Sequence, residues 1–415
     1  MLLLYNIFIR LYYVAICLAS LWNKKAGQWR EGRKQTFQEL ASKIVSTDRM
    51  IWVHCSSAGE FEQGKPVIEA LKQQYPHHKI LVSFFSPSGY DVAKRYPHAD
   101  FITYLPLDTR KNAQEFVKLV HPELVIFVKY EFWYHHLATA AFRHIPILLI
   151  SATFRKEQLF FKSYGRFFRQ ILFLFRHIFV QDNSSLEILQ ANDFSHSSIG
   201  GDTRFDRVTA IASNFSPIPF IENSLLGCQS IVAGSTWKHD EEILKELGPS
   251  ATEKLVIAPH EIDEAHLKEI HAIFPGAVYF SSLKEGTGEK NSGDVIIIDN
   301  VGMLSRLYQY ATITYIGGGF TKDGIHNILE AAVWGKPVIF GPNYHKYREA
   351  KELIAAGGGF SINNAQELKQ LADKLLSNEQ YLQAVGENAR KYVLENTGAT
   401  QKILQAIQAK RLLTN

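Results

Sequence analysis

Cysteine is scarce: Cys17, Cys55 and Cys228 are spread through 415 residues with no C-x-x-C spacing. That excludes a disulfide framework or a thiolate zinc site and fits a reducing compartment. No G-x-x-x-x-G-K-[ST] loop and no Rossmann dinucleotide fingerprint occurs, so ATP P-loop and NAD chemistry lack their motifs. There is no D-x-D pair, which argues against a metal-clamped diphosphate donor. The pairs His77-His78 and His135-His136 have no H-E-x-x-H spacing, and read as surface or cleft histidines rather than metal ligands. Charge of either sign is nearly balanced at net +4. Nucleic-acid binding would need a concentrated basic face. No short-period repeat occurs.

What is present is an ordinary globular composition, 46% hydrophobic and 21% charged, in a chain long enough for two or three domains. Residues 1–22 are the exception, being almost wholly apolar or aromatic apart from Asn6 and Arg10. Lys24, Lys25, Arg30, Arg33 and Lys34 follow. Such a stretch just suffices to span a bilayer, while Arg10 near its middle favours a tilted or interfacial helix. The basic cluster keeps the body of the protein on the cytoplasmic side by the positive-inside rule. The competing reading is a helix buried against the domain.

From about residue 50, short apolar runs alternate with amphipathic stretches. Strands are expected at 51–55, 80–84, 101–103, 124–128, 147–150 and 177–180, and again at 230–233, 255–258, 278–280, 295–298, 312–316 and 337–340. Continuous apolar runs separated by helices imply parallel sheets buried on both faces. Pro217 and Pro219 break the pattern between the two series. The expectation is an α/β protein of two Rossmann-like doubly wound domains facing a cleft, preceded by a membrane-anchor helix. The boundaries are 1–22 for the anchor, 23–212 for an acceptor domain, 213–228 for a linker, 229–395 for a donor domain and 396–415 for a C-terminal helix.

Ligands of doubly wound sheets bind at the carboxyl ends of strands. The first such loop, Ser56-Ser57-Ala58-Gly59-Glu60, places Glu60 at a helix start, where a carboxylate serves either as general base or as a helix-dipole partner. The second, Lys129-Tyr130-Glu131-Phe132-Trp133, sets an acid among aromatics, with Lys129 the nearest cation and a structural ion pair as the alternative. Gly234-Ser235-Thr236 and Gly317-Gly318-Gly319 suit an anion, the latter followed by Gly324-Ile325-His326-Asn327 opening a helix that carries Glu330. Residues 154–176 read as a basic aromatic helix bearing Arg155, Arg166 and Arg169, fit either for anionic lipid headgroups or for a core helix with a solvated polar face.

Taken in order, these segments resemble the Kdo transferase family, which moves 3-deoxy-D-manno-octulosonic acid (Kdo) from CMP-Kdo to the lipid A precursor. The resemblance runs from the anchor to about residue 400. It rests on Trp52-Val53-His54 leading into Ser57-Ala58-Gly59-Glu60, on Ser86-Pro87-Ser88-Gly89, and on Tyr104-Leu105-Pro106-Leu107-Asp108. Also carrying it are Glu131-Phe132-Trp133, Gly201-Asp202-Thr203-Arg204-Phe205-Asp206, Ala233-Gly234-Ser235-Thr236, and the stretch from Gly317 through Asn327 and Glu330 to Gly335-Lys336-Pro337.

The resemblance implies an inverting, metal-independent GT-B glycosyltransferase without a cofactor, CMP-Kdo being a substrate. Glu60 would be the general base and Glu131 a second essential carboxylate. Ser235, Thr236, Pro259, His260, Gly318, Gly319, Asn327 and Glu330 would line the donor site. The acceptor would be lipid IVA, in lipopolysaccharide core biosynthesis at the cytoplasmic face of the inner membrane, and the basic aromatic segment offers Arg155, Arg166 and Arg169 to that anionic lipid. Three departures stand out. The family's E-T-E reads Lys129-Tyr130-Glu131, its A-P-R-H turn reads Ala258-Pro259-His260-Glu261, and G-G-H-N-P-L-E reads Gly324-Ile325-His326-Asn327-Ile328-Leu329-Glu330. The alternatives are a GT-B transferase or epimerase using a UDP-sugar and, from another class, an inactive membrane scaffold.

Overall fold

The computed structural model describes residues 1–247, 253–284 and 294–414. The chain divides into two compact units, Met1–Arg207 with Thr397–Asn415, and Val208–Asn396. Each is α/β and built on a seven-stranded sheet in which every pairing is parallel.

The first sheet contains β1 (Arg49–Cys55), β2 (His78–Phe84), β3 (Phe101–Tyr104), β4 (Pro122–Val128), β5 (Ile147–Ala152), β6 (His177–Val180) and β7 (Ser197–Ile199), in the order β3-β2-β1-β4-β5-β6-β7. The central strands are buried on both faces, which is why they read as unbroken apolar runs. Trp52 packs with Phe116 and Phe127 on one face, and Val53, Phe61 and Val82 fill the other. The chain leaves β1 towards β2 and later returns to its other side with β4, so the strand order reverses between β1 and β4. That switch point is where a doubly wound sheet opens a ligand crevice.

The second sheet contains β8 (Gln229–Thr236), β9 (Glu253–Pro259), β10 (Val278–Tyr279), β11 (Val295–Ile297), β12 (Ile313–Ile316), β13 (Val338–Phe340) and β14 (Gly359–Ser361), in the order β10-β11-β9-β8-β12-β13-β14. Its switch point lies between β8 and β12.

The twelve expected strands are all present, with the 278–280 run ending at Tyr279 because Phe280 opens a helix. The sequence reading missed β7 and β14, short edge strands of serine and glycine with little apolar signal. The C-terminal helix Ala399–Ala409 belongs to the first unit. Asp206 accepts the backbone N–H groups of Gly398 and Thr400 at 2.6 Å each, and Ile403 and Ile407 are buried beside Ile68 and Leu71. Each such isoleucine stabilises its docking by about 1.5–3 kcal/mol. The stretch expected as a linker is also structured: Ile218, Ile221 and Leu225 are buried around the Ile221–Leu225 helix, within the second unit.

Residues 154–176 do not form one helix. A 3-10 turn at Leu159–Phe161 is followed by a short helix, Arg166–Leu172. Gly165 allows the break, since a Cβ there would lie 1.6 Å from the Leu159 carbonyl oxygen.

The N-terminal helix, Leu2–Ala19, is long and apolar enough to cross a membrane, with a mean hydropathy of 1.9. One face lies on the first unit: Ile9 is buried, Tyr5 reaches Asp108 and Tyr134, and Tyr12 packs edge-on to Trp29. The opposite face leaves Leu3, Leu4, Phe8, Leu11, Val14 and Leu18 exposed.

Candidate functional site

In the first unit the site grows from the ends of β1 and β4. Their pairing runs to His54 opposite Phe127, so the loops that follow both strands emerge side by side. Ser57 caps the Ala58–Gln74 helix by accepting from the Glu60 N–H at 3.3 Å, which sets Glu60 in the first turn. Its side chain folds back so that the Ser56 N–H donates to Oε2. Glu60 is only 8% exposed, and burial pushes its pKa up to about 7. The Ser56 N–H, the Lys129 ammonium and the Ser56 hydroxyl oppose that shift, while the Glu131 charge adds to it.

Glu131 lies in the loop after β4, where Lys129 takes a left-handed conformation at φ 69°. Burial raises its pKa too, against the Ser56 hydroxyl, the Trp133 indole N–H and the Arg33 guanidinium. Its Oε2 is buried without a hydrogen-bond partner among the described residues. An unpartnered buried carboxylate oxygen is costly unless something else satisfies it.

The cation facing Glu131 is therefore Arg33, not its sequence neighbour Lys129, which acts on Glu60. Arg33 sits 3.7 Å above the Trp29 ring and donates to the carbonyls of Leu105, Trp29 and Phe85 at 2.9, 3.0 and 2.7 Å. Burial depresses its pKa to about 9. Nothing in the sequence singles it out from the basic cluster after the anchor. His54 was also missed. It is wholly buried, bridges Ser83 and Ser56 at 2.8 and 3.3 Å, and is kept neutral by burial, with a pKa near 3.

The paired histidines are engaged structurally. His136 Nδ1 lies 2.5 Å from Asp108, and His135 Nε2 lies 2.6 Å from the Asn6 amide oxygen. Of the expected acceptor residues, Arg155 and Arg166 are exposed. Arg169 is half-buried and donates to the Phe160 and Lys162 carbonyls at 3.0 and 3.2 Å, closing the turn before its helix.

In the second unit the glycine-rich turn after β12 meets the turn after β8. Asp240 joins them, accepting from the N–H groups of Trp237 and Gly318 at 3.0 and 2.9 Å and from the Tyr315 hydroxyl at 2.7 Å. A Cβ on Gly317 would lie 2.2 Å from the Ser235 carbonyl oxygen, so only glycine allows this approach. Ser235 is half-exposed at φ 53°, whereas Thr236 is buried and its hydroxyl is turned inward to Glu241 at 2.9 Å.

His260 follows β9. Its ring stacks on Trp237 at 4.8 Å and on His326 at 4.3 Å, and Trp237 Nε1 donates to His326 Nε2 at 3.1 Å. Burial lowers both histidine pKa values, that of His326 to about 4, so neither carries charge near neutrality. Pro259 is half-buried at the end of β9, and Gly318 and Gly319 are fully buried.

The helix expected from Gly324 is only Leu329–Ala332. Gly324 is left-handed at φ 82°, and the Asn327 side chain accepts from the Leu329 N–H at 3.2 Å, so helical bonding starts only there. Asn327 also donates to Glu330 at 3.0 Å, placing both on one face.

The profile of the 3-deoxy-D-manno-octulosonic-acid transferase (kdotransferase) family matches residues 22–207. A 3-deoxy-D-manno-octulosonic acid transferase of Aquifex aeolicus is 30% identical over 334 residues, covering 79% of this chain and 86% of that one. Its counterpart in Haemophilus influenzae is 24% identical, covering 95% and 94%. Among solved structures, UDP-GlcNAc 2-epimerase from Neisseria meningitidis superposes with a TM-score of 0.63 at 16% identity, covering 87% of this chain and all of that one. That likeness establishes a shared fold and nothing more. The chain belongs to the 3-deoxy-D-manno-octulosonic-acid transferase family, and it is a glycosyltransferase.

Proposed function

We propose that the chain transfers Kdo from CMP-Kdo to the lipid A precursor, lipid IVA, in lipopolysaccharide core biosynthesis, with Glu60 as general base. The observation that carries this is the Glu60 carboxyl, buried at the switch point of the first sheet with its pKa pushed up to about 7. A base poised near the working pH combines a sizeable ionised fraction with real proton affinity. Glu60 takes the proton of the acceptor hydroxyl as its oxygen bonds to the anomeric carbon of Kdo. The bond from that carbon to the CMP phosphate oxygen breaks, and CMP leaves with the electron pair. Glu131 raises the basicity of Glu60 through its charge, and its unpartnered oxygen is a ready acceptor for an acceptor hydroxyl.

In the second unit, the half-exposed Ser235 beside the glycine turn receives the CMP phosphate, and Asn327 and Glu330 the nucleoside. A monophosphate leaving group needs less neutralisation than a diphosphate, so backbone N–H groups and side-chain donors serve in place of a metal. The neutral His260 contributes a hydrogen bond where the family pattern has a full charge.

The reading places the enzyme on the cytoplasmic face of the inner membrane. The Leu2–Ala19 helix lies along the first unit on one face and is apolar on the other, which fits a helix lying in the interface better than one crossing it. Calorimetric titration with CMP and UDP tests donor choice: tighter UDP binding would return the reading to a UDP-sugar enzyme.

A further inference from the structure

A groove of about 640 Å³ runs between the Arg110–Val120 and Tyr134–Phe142 helices of the first unit, and neither Glu60 nor Glu131 lines it. Residues 110, 111, 114, 115 and 118 line it at the spacing that puts them on one helix face, and 134, 138 and 142 do the same opposite. Arg110, Lys111, Lys118 and Arg143 bring four cations to it against one carboxylate, Glu115. All four are exposed, and none is in an ion pair among the described residues.

Unpaired like charges around a concavity repel one another and are relieved by an anion. The groove also has apolar ends. Phe142 is 85% exposed, and Leu2 contributes from the helix whose outer face is apolar apart from the exposed Arg10. Phosphate-binding charge beside exposed apolar side chains matches an amphiphile, not a soluble metabolite.

We propose that this groove binds the phosphate diester headgroup of an anionic phospholipid, so that the enzyme docks on the membrane by a specific basic site as well as by its apolar helix. The inference rests on the membrane reading above and adds to it a lipid class and a location. Arg110 and Lys118 stand about two helical turns apart, enough to hold a headgroup between them and Arg143.

The test is sedimentation of the full chain with vesicles of phosphatidylcholine alone or mixed with phosphatidylglycerol. The variant R110Q/K118Q/R143Q removes three groove charges. A control, K351Q/K369Q/K402Q, removes three exposed charges elsewhere. The groove variant is expected to lose the preference for phosphatidylglycerol vesicles by about tenfold or more, while keeping its binding to phosphatidylcholine and its turnover of detergent-dispersed acceptor. The control is expected to keep the preference.

Equal losses in the two variants, or an undiminished preference in the groove variant, would overturn the proposal. So would a raised KM for dispersed acceptor with unchanged vesicle binding, because the groove would then read the acceptor's phosphates. A wild-type chain that sediments with neither vesicle contradicts the membrane reading itself, before any variant is made.

Discussion

The hydroxyl of Tyr5, on the apolar N-terminal helix, donates to the carboxylate of Asp108, which is 2% exposed. That carboxylate also takes the N–H groups of His135 and His136 at 3.0 and 2.9 Å, and the Tyr5 oxygen accepts from the Tyr134 N–H at 3.2 Å. Three orphan N–H groups at the start of the helix after Glu131 are thus satisfied through one tyrosine–aspartate pair. The apolar helix therefore helps to place the Glu131 loop.

Replacing Tyr5 by Phe keeps the ring packing against Phe167 and Tyr134 but removes the donor to Asp108 and the acceptor for Tyr134. A cost of about 1–3 kcal/mol is expected, seen as a fall of several degrees in thermal midpoint. Turnover of detergent-dispersed acceptor should fall while CMP affinity stays unchanged, because the residues proposed to hold CMP belong to the other unit. A Y5F variant with wild-type midpoint and turnover would show that the pair positions nothing.

The base role proposed for Glu60 would tie activity to stability through its protonation. Its folded pKa, about 7, lies above the ordinary carboxylate value, so its contribution to stability is complete at acid pH. It is lost as pH rises from about 4.5 to 7, by roughly 3 kcal/mol. The rate should rise about tenfold per pH unit below 7 and level off above it. E60Q should lower kcat by about 10²- to 10⁴-fold and should gain stability over wild type between pH 5 and 8. Paired pH–rate and pH–melting profiles check both halves.

His260 stands where the family pattern has arginine, stacks on Trp237 and His326, and has its pKa lowered by desolvation. An H260R variant should restore a fixed charge and tighten CMP by about three- to tenfold, with the gain shrinking as salt is raised. Titration calorimetry at two ionic strengths measures this, and unchanged affinity would mean that the residue does not face the phosphate.

Gly317 allows the β8 and β12 turns to touch. In G317A the new methyl meets the Ser235 carbonyl, and the strain should cost about 1–3 kcal/mol. CMP binding should weaken more than Glu60-side function. Wild-type CMP affinity in a folded G317A chain would separate the glycine turn from the donor site.

Much of this was legible in the sequence because both sheets are buried on two faces. The runs at 124–128 and 312–316 carry no polar interruption except Thr312 and Thr314, and Thr314 satisfies its hydroxyl on the Pro337 carbonyl at 2.7 Å. Edge strands β7 and β14 lack that signal. Glu60 and Glu131 were visible because each follows a strand at a switch point. Arg33 was not, because its partners at Phe85, Leu105 and Glu131 are far along the chain and one of them is engaged only through charge. Periodicity alone also overran the 154–176 segment. The residues there suit a helix, but Gly165 must pass the Leu159 carbonyl too closely for any other residue. The same holds for Thr236, whose spacing pointed to a ligand while its hydroxyl serves the buried Glu241.

Mass spectrometry of lipid IVA after incubation with CMP-Kdo and either wild-type chain or E60Q, each shown to bind CMP, tests the central claim most directly. The account predicts a lipid heavier by one or more Kdo residues with wild type and a rate reduced at least a hundredfold, on the order expected for a lost general base, with E60Q. Unmodified lipid from a wild-type chain that binds CMP, or undiminished transfer by E60Q, would contradict it.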